Sequence, residues 1–164
     1  MAAAAGFAHS AAVDENGCLF VWGSAEHGQL GAGDTAERLD PTRVAGLPAP
    51  VRQVAAGLYH TGIVTEAGDL LMCGAGENGP LGLGDEENRT TPTLVARAVF
   101  DGEAVLMVAC GEEHTVVATE GGGVYTFGLT FRGGGRGGMG GRGRGVGSRR
   151  AVRHCIRMYS QNAF

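Results

Sequence analysis

Three histidines could supply the chemistry of a metal site or of a general base, and they recur at nearly equal spacing. His60 follows His9 by 51 residues, and His114 follows His60 by 54. Ligands of one zinc ion must converge on a single centre, whereas a residue repeated once per structural unit does the same local job in each unit. We therefore expect a structural role for all three, such as a ring hydrogen bond to a neighbouring strand, and we expect no metal and no cofactor.

The cysteines form no recognisable reactive set. Cys18, Cys73, Cys110 and Cys155 include no C-x-x-C pair, so the sequence favours free thiols in the cytoplasm or nucleus over a zinc site or a disulfide framework. No sequence neighbour of Cys73 or Cys110 indicates the base or positive charge that lowers the pKa of a catalytic thiol. We expect no catalytic residue and no enzymatic activity in this chain.

Two aspartates close matching glycine-rich loops. Asp34 and Asp85 each end the sequence L-G-x-G-D, where an aspartate can accept backbone N–H bonds in an Asx-type turn. A calcium site is disfavoured because no second carboxylate stands at ligand spacing. A phosphate-binding P-loop is excluded because the chain contains no lysine. Both aspartates are therefore interpreted as turn residues.

These residues belong to a repeat that appears when the chain is aligned with itself. The step G-x-x-H-[ST] begins at Gly6, Gly57 and Gly111, and the first two copies continue into the L-G-x-G-D sequence. Self-similarity at a period near fifty residues indicates a propeller or a solenoid. The residues that define the repeat are Gly6, His9, Gly23, Gly31, Gly33, Asp34, Gly57, His60, Gly74, Gly82, Gly84, Asp85, Gly111, His114 and Gly128.

Each copy has the pattern of a β-hairpin followed by further strands. In the first copy two short apolar runs flank Asn16-Gly17, a pair that suits the positive φ of a hairpin turn. Four strands that recur about every fifty residues make up a propeller blade. The predicted strands are 10–13, 18–22, 42–44, 51–55, 61–65 and 70–73.

One aromatic residue stands in the second strand of the first hairpin. Trp22 precedes Gly23, and the sequence comparison places it with Cys73 and Thr126. Core packing is the usual role of a large aromatic side chain in an apolar strand, so we expect Trp22 to be buried, with contact to a partner as the alternative. Cys73 is expected to be an inert thiol.

The loop after each hairpin identifies the family that the repeat resembles. Residues 22–34 read W-G-S-A-E-H-G-Q-L-G-A-G-D, and residues 73–85 read C-G-A-G-E-N-G-P-L-G-L-G-D, with Pro80 where glutamine is usual. With the G-x-x-H-[ST] step, they closely resemble the repeat of the regulator of chromosome condensation family over residues 3–128. A WD-repeat propeller is excluded because no Trp-Asp dipeptide occurs.

The resemblance implies an all-β chain, built as an incomplete β-propeller of four-stranded blades. Intact family members have seven blades and serve as exchange factors for the small GTPase Ran, as domains of large ubiquitin ligases, or as partner-binding modules. Here the repeats divide the chain into 1–50, 51–104 and a partial third copy at 105–128, too few blades to close a ring. Met1 also cuts into the first blade. We expect a fragment with an unpaired edge that does not melt cooperatively as a compact monomer.

The last residues, 129–164, form a different kind of sequence. All 17 acidic residues lie at or before Glu120, whereas the later part of the chain holds eight arginines and no acid. This Gly/Arg-rich tail is predicted to be disordered and resembles an arginine-glycine box that binds RNA, with Arg136, Arg142 and Arg144 as candidate contacts. The abrupt loss of the repeat in mid-blade favours a shifted reading frame or a retained intron over a genuine RNA-binding segment.

The sequence therefore favours a non-catalytic protein-interaction scaffold. The alternatives are a guanine nucleotide exchange factor for a Ran-like small GTPase and RNA binding through the arginine-glycine tail. We expect nucleic acid to bind only through the tail. No membrane contact is expected, because no run of 18 apolar residues exists.

Overall fold

Residues 1–129 form a row of three β-sheets. A computed structural model describes residues 1–129, which form eleven strands and a short 3-10 helix at Arg97–Phe100. The all-β fold class expected from the sequence is confirmed. The predicted disorder of the tail and the candidate RNA contacts Arg136, Arg142 and Arg144 concern residues outside the described part of the chain, and they stay predictions.

Each sheet is an antiparallel meander whose strands follow chain order, as in a propeller blade. The first blade contains β1 (Ala2–Ala5), β2 (His9–Val13), β3 (Leu19–Gly23) and β4 (Arg38–Arg43). The second contains β5 (Val51–Ala56), β6 (His60–Thr65), β7 (Leu70–Gly74) and β8 (Arg89–Leu94). The third contains β9 (Val105–Cys110), β10 (His114–Thr119) and β11 (Val124–Gly128).

A glycine closes the tight turn between β2 and β3. Gly17 has a φ of 75°, a conformation that residues with a Cβ rarely adopt. The Asp14 carboxylate supports the turn by accepting backbone N–H bonds from Asn16 and Cys18, at 2.9 and 2.8 Å. The Asn-Gly pair therefore forms the hairpin turn that the sequence predicted.

The apolar cores lie between the blades. Every residue of β6 and β7 is buried, because the second blade is covered on both faces. The first core joins the first two blades and contains Ala11, Val13, Leu19, Val21, Val54, Ile63 and Leu71. The second core joins the second and third blades and contains Val64, Leu70, Met72, Val108, Val117, Tyr125 and Phe127. Each blade therefore depends on its neighbour to bury a face.

The outermost strand of each complete blade carries a proline. Pro41 lies in β4 and Pro92 lies in β8, and each of these strands pairs with a single neighbour. Proline has no N–H to offer, so it is tolerated at a sheet edge and hinders pairing with a further strand. Pairing of a further strand with the outer edge of β4 or β8 is therefore hindered, and neighbouring sheets contact one another through their faces.

One strand prediction needs correction. The predicted strand at 42–44 is observed as Arg38–Arg43, a mostly exposed edge strand whose polar residues give no apolar run. The first strand is present at Ala2–Ala5 and pairs fully with β2. It has 4 residues where β5 has 6, so the first blade is shortened and still has four strands.

The predicted burial of Trp22 is wrong. Trp22 is half-buried and belongs to neither core, while its neighbour Val21 is fully buried on the opposite face of β3. The pairing of β10 with β11 places Phe127 opposite Thr115 as Trp22 lies opposite Ser10. The counterpart of Trp22 is therefore Phe127 and not Thr126. Phe127 is buried because the second blade packs on it, and within residues 1–129 no sheet packs on the corresponding face of the first blade.

Candidate interaction site

The loops of all three blades gather at one edge of the sheets, called here the loop edge. It comprises the loops 6–8, 24–37, 57–59, 75–88 and 111–113. Backbone hydrogen bonds tie the short loops to the long ones, because Ser24 N donates to Ala8 O and Ala75 N donates to Tyr59 O, both at 2.8 Å. The repeated residues of the sequence analysis and the variable residues between them therefore share this edge.

Each of the first two histidines connects its blade to the next one. His9 Nε2 lies 2.8 Å from Thr61 Oγ1, and that hydroxyl donates its proton to the Gln29 carbonyl oxygen at 2.7 Å. A hydroxyl has one proton, and that of Thr61 is engaged by the Gln29 carbonyl, so the ring must donate through its Nε2–H. His9 Nδ1 is buried without a hydrogen-bond partner among the described residues. The inter-blade bond thus uses the Nε2–H of His9, and the buried Nδ1 without a partner favours the uncharged ring.

The second interface repeats the same chain of bonds. His60 Nε2 lies 3.0 Å from Thr115 Oγ1, which donates to the Pro80 carbonyl oxygen at 2.8 Å. The backbone carbonyl of Pro80 thus accepts the bond that the backbone carbonyl of Gln29 accepts in the first interface. The departure from the family pattern at this position leaves the interface intact.

A glycine before each histidine makes room for the ring. A Cβ on Gly6 would lie 2.5 Å from His9 Cε1, and Cβ atoms on Gly57 and Gly111 would overlap the rings of their own histidines in the same way. A substitution at any of the three would force the ring to move. The G-x-x-H step therefore sets the orientation of the imidazole in every blade.

Burial keeps these histidines neutral. Loss of water around the ring lowers the pKa of His9 to about 4. The pKa of His60 is also lowered to about 4, mainly by burial, although a hydrogen bond with the backbone of His114 opposes the shift. Protonation would keep the Nε2–H donor but would place a charge and a second N–H on a buried ring, which burial disfavours. The arrangement is structural, and within residues 1–129 no group of three or more His, Cys, Asp or Glu side chains is placed to hold a metal ion.

The loop aspartates anchor turns and arginines. Asp34 Oδ1 accepts the N–H of Ala36 at 3.0 Å, and Arg38 Nη2 lies 2.8 Å from Asp34 Oδ2. These contacts, led by the Arg38 hydrogen bond, lower the pKa of the Asp34 carboxyl. Asp85 repeats the pattern with Arg89 at 2.6 Å. The sequence analysis missed both arginines, although an aspartate followed by arginine four residues later occurs in each of the first two copies.

The glycines of the repeat lie at the sites where the loops leave the strands and cross to the next blade. Gly33 N donates to Thr90 O of the second blade at 2.9 Å, and Gly31 packs against Cys73 and Pro92. The long loop of one blade is therefore bound to the outer strands of its neighbour. Glycines with positive φ at these and equivalent positions are Gly23, Gly31, Gly33, Gly74, Gly82, Gly84 and Gly128.

An aromatic cluster occupies the exposed surface of the loop edge. Phe7 is 72% exposed, and its ring meets the Tyr59 ring edge-on with centroids 6.3 Å apart. The His27 ring lies on the other side, 4.6 Å from Tyr59. Phe7 and Tyr59 occupy the variable positions of the G-x-x-H step. Sequence reasoning concentrated on the repeated residues and missed this cluster, whose members differ from copy to copy.

Carboxylates border the aromatic cluster. Glu26 precedes His27 and is exposed. The Glu112 carbonyl accepts the N–H of Leu58, the residue before Tyr59, at 3.3 Å, and its side chain is exposed. Glu26 and Glu112 belong to an acidic segment, because residues 1–129 hold 17 acidic residues and five arginines. We call Phe7, His27, Tyr59 and these two glutamates the aromatic–acidic patch.

The two buried thiols are unsuited to nucleophilic chemistry at neutral pH. Burial raises the pKa of the Cys73 and Cys110 thiols to about 12, so both stay protonated and poorly nucleophilic. At the edge opposite the loops lies an open depression of about 300 Å³ beside Glu15, Arg52 and Glu66. No helix in the described part of the chain has the length and hydropathy that crossing a bilayer requires.

Family models match most of the described chain. The model for the regulator of chromosome condensation (RCC1) repeat matches residues 16–64 and 67–118, and a second model with the same description matches residues 2–29. The first match runs from the turn before β3 to β6, so one sequence repeat contains parts of two adjacent blades. That division agrees with the bonds described above, which join neighbouring blades.

Relatives of known identity share this segment. The chain is 42% identical over 126 residues to the Ultraviolet-B receptor UVR8 of Arabidopsis thaliana, and the aligned segment covers 76% of this chain and 28% of UVR8. It is 40% identical over 122 residues to the probable E3 ubiquitin-protein ligase HERC3 of Homo sapiens, and the aligned segment covers 73% of this chain and 11% of HERC3. The chain thus spans less than a third of either relative.

Solved structures share the fold. Prp20p from Saccharomyces cerevisiae superposes with a TM-score of 0.68 at 26% identity, over 77% of this chain and 32% of that one. Human WBSCR16 gives a TM-score of 0.68 at 27% identity, over 75% of this chain and 32% of that one. The three sheets therefore correspond to about a third of each of these larger structures.

Replacing Thr61 tests the inter-blade bond. Thr61→Val keeps the shape of the side chain, leaves the His9 N–H without an acceptor and leaves the Gln29 carbonyl with only the Cys73 thiol as donor, so we expect the free energy of unfolding to fall by about 1–3 kcal/mol. Thr61→Ser keeps the hydroxyl and should recover most of the loss. Thr35→Val, at an exposed loop position, is the matched control and should change stability by less than about 0.5 kcal/mol. Urea denaturation of the four proteins provides the comparison, and equal losses at Thr61 and Thr35 would contradict the bond.

The buried histidines should make stability depend on pH. In the unfolded chain His9 and His60 take up protons near pH 6.5, whereas in the folded chain they do so only near pH 4. Unfolding is therefore favoured as the pH falls, by up to about 1.4 kcal/mol per pH unit for each histidine. Between pH 7 and pH 5, we expect His60→Gln to reduce the slope of unfolding free energy against pH. His27→Gln, on the loop surface, should keep it, and an unchanged slope in His60→Gln would refute the assignment.

Proposed function

Because this chain belongs to the regulator of chromosome condensation (RCC1) repeat family, we propose that it is a non-catalytic interaction module whose loop edge binds a basic segment of a partner protein. The observation that carries the proposal is the aromatic–acidic patch. A side chain as apolar as Phe7, 72% exposed beside Tyr59, is typical of a protein contact. The fold supports an interaction role, and the patch specifies the chemistry of the partner.

The charges around the patch favour a cationic partner. Arginine and lysine side chains bind aromatic faces through cation–π contacts and pair with carboxylates. Tyr59 and Phe7 offer the rings, and Glu26 and Glu112 offer the carboxylates. With 17 acids and five arginines in residues 1–129, the blades repel a phosphate backbone and attract a basic peptide. Binding of nucleic acid by the described residues is therefore disfavoured.

The module needs no chemistry of its own for this role. His9 and His60 form inter-blade bonds and His114 has the same orientation, and the buried thiols stay protonated. The variable pair of the G-x-x-H step differs in each blade: Phe7-Ala8, Leu58-Tyr59 and Glu112-Glu113. A constant scaffold that presents different side chains at the same place in each blade suits recognition of one extended partner.

Removal of the two rings tests the proposed contact. We expect the double variant Phe7→Ser and Tyr59→Ser to bind a fluorescently labelled arginine-rich peptide about tenfold more weakly than the parent chain, as the loss of about 1.4 kcal/mol of cation–π and apolar contact requires. Leu39→Ser is the matched control, because Leu39 is 84% exposed in β4 and lies outside the patch. Fluorescence anisotropy at low and high salt measures the affinities. Equal affinity of parent and double variant would reject the site.

A second candidate function is guanine nucleotide exchange on a Ran-like small GTPase. Its support is the similarity to Prp20p, whose structure was described together with its binding to Gsp1p and histones. The chain covers 32% of Prp20p, so a surface assembled from the rest of that propeller would be incomplete here.

Nucleotide release distinguishes the two functions. For an interaction module, we expect the chain to leave the rate of labelled GDP release from Ran unchanged, because binding alone does not lower the barrier to dissociation. Acceleration at amounts of chain well below those of the GTPase would instead establish exchange activity. Full-length Prp20p with Gsp1p serves as the positive control for the assay.

A further inference from the structure

The outermost strands of the two complete blades, β4 and β8, form a surface that we call the rim. The rim carries the one Ser/Thr-Pro dipeptide of the whole chain, Thr91-Pro92 in β8. The pairing of β8 with β7 is regular at Leu94 and Thr93 and resumes only at Arg89, so the three residues between have no Cα partner in the register with β7. A short extended segment of the rim therefore bulges out of the regular ladder.

Thr91 is the exposed residue of this segment, and its two neighbours are held by the first blade. The Thr90 carbonyl oxygen accepts the N–H of Gly33 at 2.9 Å. The ring of Pro92 lies against Gly31, where an added Cβ would approach it to 3.1 Å. The segment thus has a fixed backbone on its inner side and offers the Thr91 side chain on its outer side.

The first blade has a carboxylate at the position of Thr91. Aligning Pro41 of β4 with Pro92 of β8 places Asp40 at that position. The register of β4 with β3 is interrupted at the same place as that of β8 with β7. Asp40 is exposed, and the ion pair of the nearby Arg38 is intact at 2.8 Å. The bulge of the rim therefore accepts a negative charge without loss of the neighbouring ion pair.

We propose that Thr91 is a phosphorylation site for a proline-directed Ser/Thr protein kinase. Such a kinase binds an extended segment, and a proline directly after the acceptor offers no N–H that the kinase would have to satisfy. In the transfer, Thr91 Oγ1 bonds to the γ-phosphorus of Mg-bound ATP while the bond to the β-phosphate oxygen breaks. The hydroxyl proton passes to the catalytic aspartate of the kinase, and ADP leaves. This site lies on the rim, outside the aromatic–acidic patch.

The phosphate gives the second blade the charge pattern of the first. A phosphothreonine carries about −1.5 to −2 charges at neutral pH and three acceptor oxygens, and Asp40 already supplies a charge at the same place in β4. Arg89, two residues before Thr91, pairs with Asp85 at 2.6 Å, so the phosphate adds a further anion beside this arginine. Both complete blades then present an anion followed by proline on the rim, which suits a partner surface rich in arginine.

Transfer of phosphate from labelled ATP tests the site in the full 164-residue chain. We expect a proline-directed kinase to add one phosphate to the folded protein, and peptide mass spectrometry to place it on Thr91. Thr91→Val and Pro92→Ala should each abolish the transfer, because the first removes the acceptor hydroxyl and the second restores an N–H after it. Thr90→Val, at the adjacent threonine that no proline follows, is the matched control and should be phosphorylated as the parent is.

A peptide with the sequence of residues 85–97 separates the sequence motif from its place in the fold. We expect the kinase to accept both the peptide and the folded chain. Phosphorylation of the peptide alone would overturn the inference, because the fold would then shield Thr91. Transfer to neither, by a kinase active on a standard substrate, would also overturn it, as would equal labelling of Thr91→Val and the parent.

The charge that phosphorylation adds should leave the blade folded. Thr91→Asp gives the second blade the residue that the first blade has at this position, and we expect its urea midpoint and circular dichroism to match those of the parent. Cys73→Asp, which buries a carboxylate in the neighbouring strand β7, is the contrasting control and should unfold at a lower urea concentration. Equal losses in the two variants would contradict a place for charge at the bulge.

Discussion

The fold depends on a neutral histidine ring that donates to a hydroxyl across the gap between two sheets. His9 Nε2 lies 2.8 Å from the Thr61 hydroxyl and His60 Nε2 lies 3.0 Å from the Thr115 hydroxyl, and each hydroxyl donates a hydrogen bond to a loop carbonyl of the earlier blade. The bond is buried, so leaving either partner unsatisfied costs more than the bond itself contributes. It also sets the register of one blade on the next, and with it the packing of both cores.

That constraint explains which residues recur and which vary. The glycine three positions before each histidine leaves space for the ring, and the loop glycines let the chain cross to the neighbouring blade. The side chains of the two residues between glycine and histidine take no part in the contact between blades, and they differ from blade to blade. Phe7 is exposed in the first blade, and Glu112 is exposed in the third. The scaffold and the binding chemistry are therefore carried by different positions of the same short step.

Much of the scaffold could be predicted from the sequence, because a periodic pattern of glycine and histidine reports a periodic backbone. The hairpins, the Asx turns at Asp34 and Asp85 and the blade order all follow from local residue chemistry. The environment of Trp22 could not be predicted, since it depends on whether another sheet covers that face. The two hydrogen bonds between the Gln53 side-chain amide and the backbone of Val108, at 3.0 and 3.1 Å, could not be predicted either. Nothing in the residue spacing indicates that a side chain binds the backbone of a strand in the next blade. The aromatic–acidic patch was missed because it is formed by residues that do not repeat.

A double-mutant cycle at His60 and Thr115 tests most directly whether the blades are joined as described. The single variants His60→Ala and Thr115→Val and the double variant, compared with the parent by urea denaturation at pH 7, give the coupling free energy of the pair. The account predicts a coupling of about 1–3 kcal/mol. Each single variant loses the buried hydrogen bond and leaves one partner unsatisfied, whereas the double variant loses the same bond only once and leaves neither partner unsatisfied. A coupling of zero, with strictly additive losses, would contradict it.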